Sequence, residues 1–204
     1  SLDLIGRLRV VLFLPEDVSL VAGSPGERRR YLDIALCQID PVYCRALTDY
    51  NKALQQRNAL LKRLRDEGGD VGQLSFWDQQ LAAAGGQVLV RRGRAVEALD
   101  GIARQRHREL SGGAEWLKLS YLPSPTLPFT TPGEVAESFA AKLKSTRSRD
   151  IAAGTSLSGP HRDDLAFAAE ERDLRAYGSR GQQRTAALAL KLAEVQMMRD
   201  VTGE

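Results

Sequence analysis

At 204 residues, 43% hydrophobic and 27% charged, the chain can bury a core as one large domain or two small ones, with the balance of an ordinary soluble globular protein. Its net charge of +3 is too small to announce a nucleic-acid binder without local clustering; no apolar run reaches membrane-spanning length and no signal peptide is visible. Cys37 and Cys44 sit in no C-x-x-C or Cys/His cluster, which favours a reducing cytoplasm over a disulfide framework.

The chain starts at Ser1 in strand-like sequence without an initiator Met and reads as a piece of a longer protein. The apolar run Leu8–Leu14 predicts a buried strand that Pro15 ends. Ser24-Pro-Gly-Glu27 predicts the start of a helix with Leu32, Ala35, Leu36 and Ile39 on its apolar side, ending at Asp40-Pro41. Arg28, Arg29 and Arg30 cannot all face one way, so most of them are expected in solvent.

From Tyr43 a four-three spacing (Tyr43, Leu47, Tyr50, Leu54, then Leu61 and Leu64) predicts a helical seam, with Arg57 breaking the series and Gly68-Gly69 ending it. Residues 75–84 and 88–110 predict the matching helices, with Val96, Leu99, Ala103 and Leu110 on one stripe and Gly85-Gly86 interrupting or bending them. Together these make a helical-hairpin arm over 41–112. Its second limb carries Arg91, Arg92, Arg94, Arg104, Arg106, His107 and Arg108. Such a face is either solvated or a set of contacts to DNA phosphates; without interleaved aromatics it does not suit sequence-specific single-strand binding.

Ser111-Gly-Gly113 reads as a glycine C-cap, followed by an alternating strand through Trp116–Tyr121 and a Pro-rich link, Pro123–Pro132. A short helix follows with Val135, Phe139 and Leu143 inside and a basic tail of Lys142, Lys144, Arg147 and Arg149. In Pro160-His-Arg-Asp-Asp164, neighbouring carboxylates point to opposite faces of an extended chain, so a structural Arg–Asp network is expected rather than a metal site. Residues 165–177 alternate around 170–173 as a hairpin that delivers the turn Gly178-Ser-Arg-Gly181. There Ser179 can cap a new helix, Gln182 can reach back, and the glycines leave room for an anion beside free N–H groups. An ordinary capped core helix is the plainer alternative.

SRGQQRT (Ser179–Thr185) resembles the signature motif of the SMC and Rad50-like branch of ABC ATPases. With LSGPHRDDL (Leu157–Leu165) before it, LALKLAE (Leu188–Glu194) after it, Pro15-Glu-Asp17, ERRRYLD (Glu27–Asp33) and QRNALLK (Gln56–Lys62), most of the chain resembles the RecF family. The LSGG-like run at Leu110–Gly113 follows a helix, where free carbonyls repel phosphate, and is not the signature. The resemblance implies a mainly helical α+β fold: a head-proximal strand and helix over 1–40, the arm over 41–112, and a small sheet with the signature helix over 113–204, forming one compact lobe. No Walker A motif occurs and no Walker B follows the signature, so no catalytic residue is expected in this chain and it should be inert alone.

The resemblance further implies that Ser179, Arg180, Gly181 and Gln182 hold the γ-phosphate of ATP, with Mg, on a partner subunit, driving homodimerisation on double-stranded DNA and single/double-strand junctions during repair and replication restart. Arg91, Arg92, Arg94, Arg104, Arg106 and Arg108 are the DNA candidates, and a RecR-type mediator is the implied protein partner. The alternatives are an SMC-like structural protein, which predicts a longer coiled coil, and a helical module that docks mediator proteins.

Overall fold

Three helices begin with one device. Ser24, Thr131 and Ser179 each accept from the backbone N–H three residues on, and Glu27, Glu134 and Gln182 return to the N–H of the cap. Pro25 and Pro132 occupy the first helical position, where the missing N–H had no partner to lose. The computed structural model describes residues 10–127 and 131–203. Its helices are α1 (Ser19–Ala22), α2 (Pro25–Ile39), α3 (Pro41–Glu67), α4 (Leu74–Leu110), α5 (Pro132–Ala153), α6 (Leu174–Tyr177) and α7 (Arg180–Thr202). Strands β1 (Leu117–Leu122), β2 (Asp164–Ala169) and β3 (Arg172–Asp173) form an antiparallel sheet in that order. Leu117 faces Ala169 and Leu122 faces Asp164. The chain is thus a mainly helical α+β protein.

Leu8 and Arg9 of the expected first strand lie outside the described residues. Val10–Leu14 forms no strand: it has no ladder partner among the described residues, and Val10, Leu12, Phe13 and Leu14 are exposed. A buried strand needs a neighbour for its backbone groups.

The chain divides into two units that do not coincide with the three consecutive segments read from the sequence. The first gathers the segment ending at Pro41, Arg92–Leu122 and the residues from Asp164 on. Its core includes Leu32, Ala35 and Leu36 of α2, Leu119, Leu165 and Phe167 of the sheet, and Ala186, Leu190 and Ala193 of α7. Of the three consecutive arginines, Arg28 is the one turned inward, at 1% exposed. It donates from Nε and Nη2 to both oxygens of Asp164 (2.6 and 3.0 Å) and from Nη1 to the Gly23 carbonyl (2.8 Å). A bidentate carboxylate is what lets a guanidinium leave water here.

The second unit comprises Val42–Arg91 and Pro123–Asp163. Tyr43, Tyr50, Leu61 and Leu64 are buried as the seam requires, but Arg57 does not break the series. It continues it: 54, 57 and 61 keep the four-three spacing, and Arg57 is fully buried. Its Nε donates to Asp78 Oδ1 (2.7 Å), and its Nη1 donates to Ser156 Oγ (2.7 Å) and pairs with Asp150 Oδ2 (2.8 Å). Arg147 Nε donates to the second Asp78 oxygen (2.7 Å). Ser156 N–H and Oγ both donate to Asn58 Oδ1 (2.8 and 2.7 Å). One arginine therefore ties α3, α4, α5 and the loop after α5 together.

Gly85 and Gly86 neither interrupt nor bend α4 out of helix, which runs unbroken through them. They permit close approach instead. A methyl group on Gly85 would lie 2.7 Å from Phe139 Cε1, and one on Gly86 2.6 Å from the Pro132 carbonyl. Glycine inside a helix costs about 1 kcal/mol against alanine, a loss accepted because α5 then lies against the α4 backbone.

Arg57→Met keeps bulk but leaves Asp150 buried beside no cation. Urea unfolding should show a loss of about 3–5 kcal/mol, and adding Asp150→Leu should recover part of it. Gly85→Ala should lose about 1–3 kcal/mol by overpacking against Phe139 despite the better helix propensity, read from the same transitions.

Candidate functional site

The turn entering α7 is exposed at Tyr177, Ser179, Arg180 and Gly181. Ser179 stands at the cap with extended backbone (φ −63°, ψ 158°), and its Oγ accepts from the Gln182 N–H at 3.2 Å. The Arg180 and Gly181 N–H groups precede the first that an α-helix can pair. Gly181 is open: only Ser179 Oγ comes within 4 Å of where a Cβ would stand. Gly178 serves another purpose than leaving room for an anion. Its N–H donates to the Leu174 carbonyl, and a Cβ there would sit 2.5 Å from that oxygen, so it is needed to close α6 onto the turn.

The three caps differ in charge. In α2 and α5 the residue that returns to the cap is a glutamate; hydrogen bonds from Ser24 hold the Glu27 carboxyl below its ordinary range. Those helix ends carry their own anion against the positive end of the macrodipole. In α7 the same position is the neutral Gln182, the first turn holds no acid, and Arg180 and Arg184 are exposed beside it. This helix start is exposed and brings no carboxylate in its own first turn. Gln182 is fixed at both ends: Oε1 accepts from Ser179 N–H (2.9 Å), and Nε2 donates to Glu115 Oε1 (2.7 Å). Nothing local in the sequence announces Glu115, which stands 67 positions away.

On another side of α7, Lys191 lies 3.8 Å from Asp17, 3.7 Å from Glu194 and 4.8 Å from the centre of the Tyr31 ring. This joins the Pro15-Glu-Asp17 turn to α7. Tyr31 Oη and Glu194 Oε2 are buried without a hydrogen-bond partner among the described residues. Burial, then the charge of Glu194, pushes the Tyr31 phenol well above its usual range. Burial likewise raises the Glu194 carboxyl, against the lowering effect of Lys191.

The arginines of α4 divide. Arg92 is 2% exposed and donates to Asp33 (2.7 Å), so it is withdrawn from any DNA surface; its place on the apolar stripe, one turn from Val88 and two from Leu99, turns it inward. Arg91 is half-buried and donates to Gln87. Arg104 shares Asp100 with Lys118, and Arg106 pairs with Glu109. Arg94 and Arg108 are exposed. His107 is buried. Of the two adjacent aspartates, Asp163 accepts from the Ser124 N–H (2.7 Å) and Asp164 from Arg28 (2.6 Å). His161 Nε2 donates to the Ser156 carbonyl (3.0 Å), leaving Nδ1 to accept from the Tyr50 hydroxyl (2.6 Å). Among the described residues no group of three His, Cys, Asp or Glu is placed to hold a metal, and no helix is long and apolar enough to cross a membrane.

No protein-family model matches the chain. Curated relatives do: it is 49% identical over 206 residues to the DNA replication and repair protein RecF of Herpetosiphon aurantiacus and 47% identical over 209 residues to that of Chloroflexus aggregans. The chain is homologous to RecF from end to end. In both cases all of the chain is matched, and it spans about half the length of these relatives, 52% and 53%. A solved structure described as the recombination mediator RecF with ATPrS in the RecFOR pathway superposes with a TM-score of 0.94 at 33% identity, over 100% of this chain and 54% of that one. The RecF structure described with ATP gives 0.93 over 99% and 54%.

Because the Glu194 carboxyl is raised in the folded protein, the native state holds that proton more tightly than the unfolded one. Its contribution is therefore full below the ordinary value of 4.5 and is lost as pH rises through the raised one. Glu194→Gln should leave stability little changed at pH 4 and raise it relative to the parent by pH 8. The difference between the two sets of thermal melts checks it.

Proposed function

We propose that this chain is the signature-bearing lobe of a RecF-like DNA-repair ATPase, and that it completes the ATP site of a second subunit in the cytoplasm of a bacterium. The observation that carries the reading is Gln182 at the third position of the α7 capping box. Where α2 and α5 bring their own carboxylate to the helix start, α7 leaves the place to an external anion. Ser179 Oγ–H and the N–H groups of Arg180 and Gly181 would donate to the γ-phosphate of ATP, and Gln182 would hold the turn in shape. Mg would be supplied with the nucleotide by the partner's site. A charge-assisted hydrogen bond to phosphate at a closed, water-poor interface is strong enough to make nucleotide the bond between two subunits. The closed pair would act on double-stranded DNA and strand junctions during recombinational repair and replication restart, with Arg94 and Arg108 as the α4 cations left for phosphates.

A role in docking a mediator protein of the RecR type draws on a separate observation. Phe76 is 57% exposed on α4 and meets Trp77 edge to face at 4.9 Å, an apolar edge on the arm.

Ser179→Ala should cost the fold about 1 kcal/mol as a lost cap and also weaken ATP-dependent dimerisation of the longer protein. Ser179→Arg should abolish dimerisation with a non-hydrolysable ATP analogue in sedimentation, because the long side chain fills the phosphate position, while the melt of this chain falls by no more than the same lost cap, about 1 kcal/mol. A Ser179→Arg protein that dimerises like the parent would reduce Ser179 to a cap.

A further inference from the structure

We infer that the exposed half of α5 is a surface for the phosphate backbone of duplex DNA, carried by Lys142, Lys144 and Arg149. The inference rests on the DNA-repair reading above and assigns a DNA contact to an element that reading does not use.

All three side chains are exposed, and none forms an ion pair or side-chain hydrogen bond among the described residues. The sequence explains why. The positions three and four away from each hold only Ser, Thr, Ala, Phe and Arg, so no carboxylate can reach them along the helix. The α4 arginines are the opposite case: Arg104 and Arg106 meet Asp100 and Glu109 at those spacings, and Arg92 is spent on Asp33. Arg147, the fourth cation of the α5 tail, is also withdrawn, onto Asp78. A basic residue near a helix end is often placed to oppose the macrodipole, but that effect fades within the last turn. Lys142 and Lys144 stand more than two turns before Ala153, where α5 ends.

The arrangement around the helix selects the partner. Lys142 and Arg149 are seven residues apart, on one flank and about 10 Å along the axis. Lys144 lies on the other flank. The crest between them is Ala141, Ser145 and Ser148, all exposed and small, and Ser145 Oγ is occupied by the Lys142 carbonyl. A helix of this width with cations on both flanks and a low crest fits across a groove of about 12 Å, meeting the phosphates of both strands. The crest carries no side chain long enough to read base edges and no aromatic on which an unpaired base could stack. Recognition would be of duplex backbone, independent of sequence.

The test uses the longer protein that carries this chain and a labelled duplex of arbitrary sequence, followed by fluorescence anisotropy across a salt series. The Lys142→Ala, Lys144→Ala, Arg149→Ala triple variant should bind roughly tenfold more weakly, and the slope of log K against log salt should fall by about 2–3 at about 0.9 per lost phosphate contact. Alanine at exposed helical positions preserves the helix, and an unchanged melt confirms that. An unchanged slope and affinity in the folded variant would overturn the inference. So would unchanged DNA binding with loss of capture by an acidic protein partner, which would make the face a protein surface. Ser179→Arg, measured in parallel, keeps the failures apart: its dimerisation reports on the nucleotide reading, and the α5 slope reports on this one.

Discussion

Arg57 is the interaction on which the second unit depends. A guanidinium in the apolar seam of a helical hairpin is stable only because Asp78, Asp150 and Ser156 occupy fixed places around it. Those partners come from α4, α5 and the loop after α5, so the arginine is satisfied only when the whole unit has assembled. The loop it fixes contains Ser156, whose carbonyl and hydroxyl in turn hold His161 and Asn58. An apolar residue at this position would pack as well with many partners; the charge accepts one arrangement.

The first unit is organised by the ends of its helices. Arg28 binds Asp164 at the start of β2, which sets α2 against the sheet. From that sheet the chain passes through the Glu170-Glu171 turn, both residues with positive φ, into β3, α6 and the α7 turn. The position of Ser179 thus follows from a short run of constrained backbone. Glu115, placed before β1, then takes the free end of Gln182. The candidate anion site is supported from two directions and covered from neither.

Lys191 gives α7 a second function within the unit. It reaches Asp17, Glu194 and the Tyr31 ring, linking the helix behind the candidate anion site to the Pro15-Glu-Asp17 turn. Tyr31 Oη and Glu194 Oε2 are buried beside this lysine, a polar cluster in an apolar setting. Such a cluster responds to whatever changes the position of Asp17 or Lys191.

The sequence by itself determined the local elements. Caps at Ser24, Thr131 and Ser179, the seam from Tyr43 to Leu64 and the stop at Gly68 depend on spacing and backbone chemistry within a turn or two, and they are legible one segment at a time. The family resemblance, too, lies in short runs such as SRGQQRT and LSGPHRDDL. Tertiary structure decided what each polar residue is for. Arg28, Arg57 and Arg92 look in the sequence like the solvated Arg94 and Arg108, because their carboxylates are 136, 21 and 59 positions away. Gly85 and Gly86 read as a break because the helix that presses on them begins at Pro132. Glu115 could not be found from the turn it supports, since only the fold carries it there. Burial and ion pairing join residues distant in the chain, and a periodic pattern records which face turns inward but not what waits there to meet it.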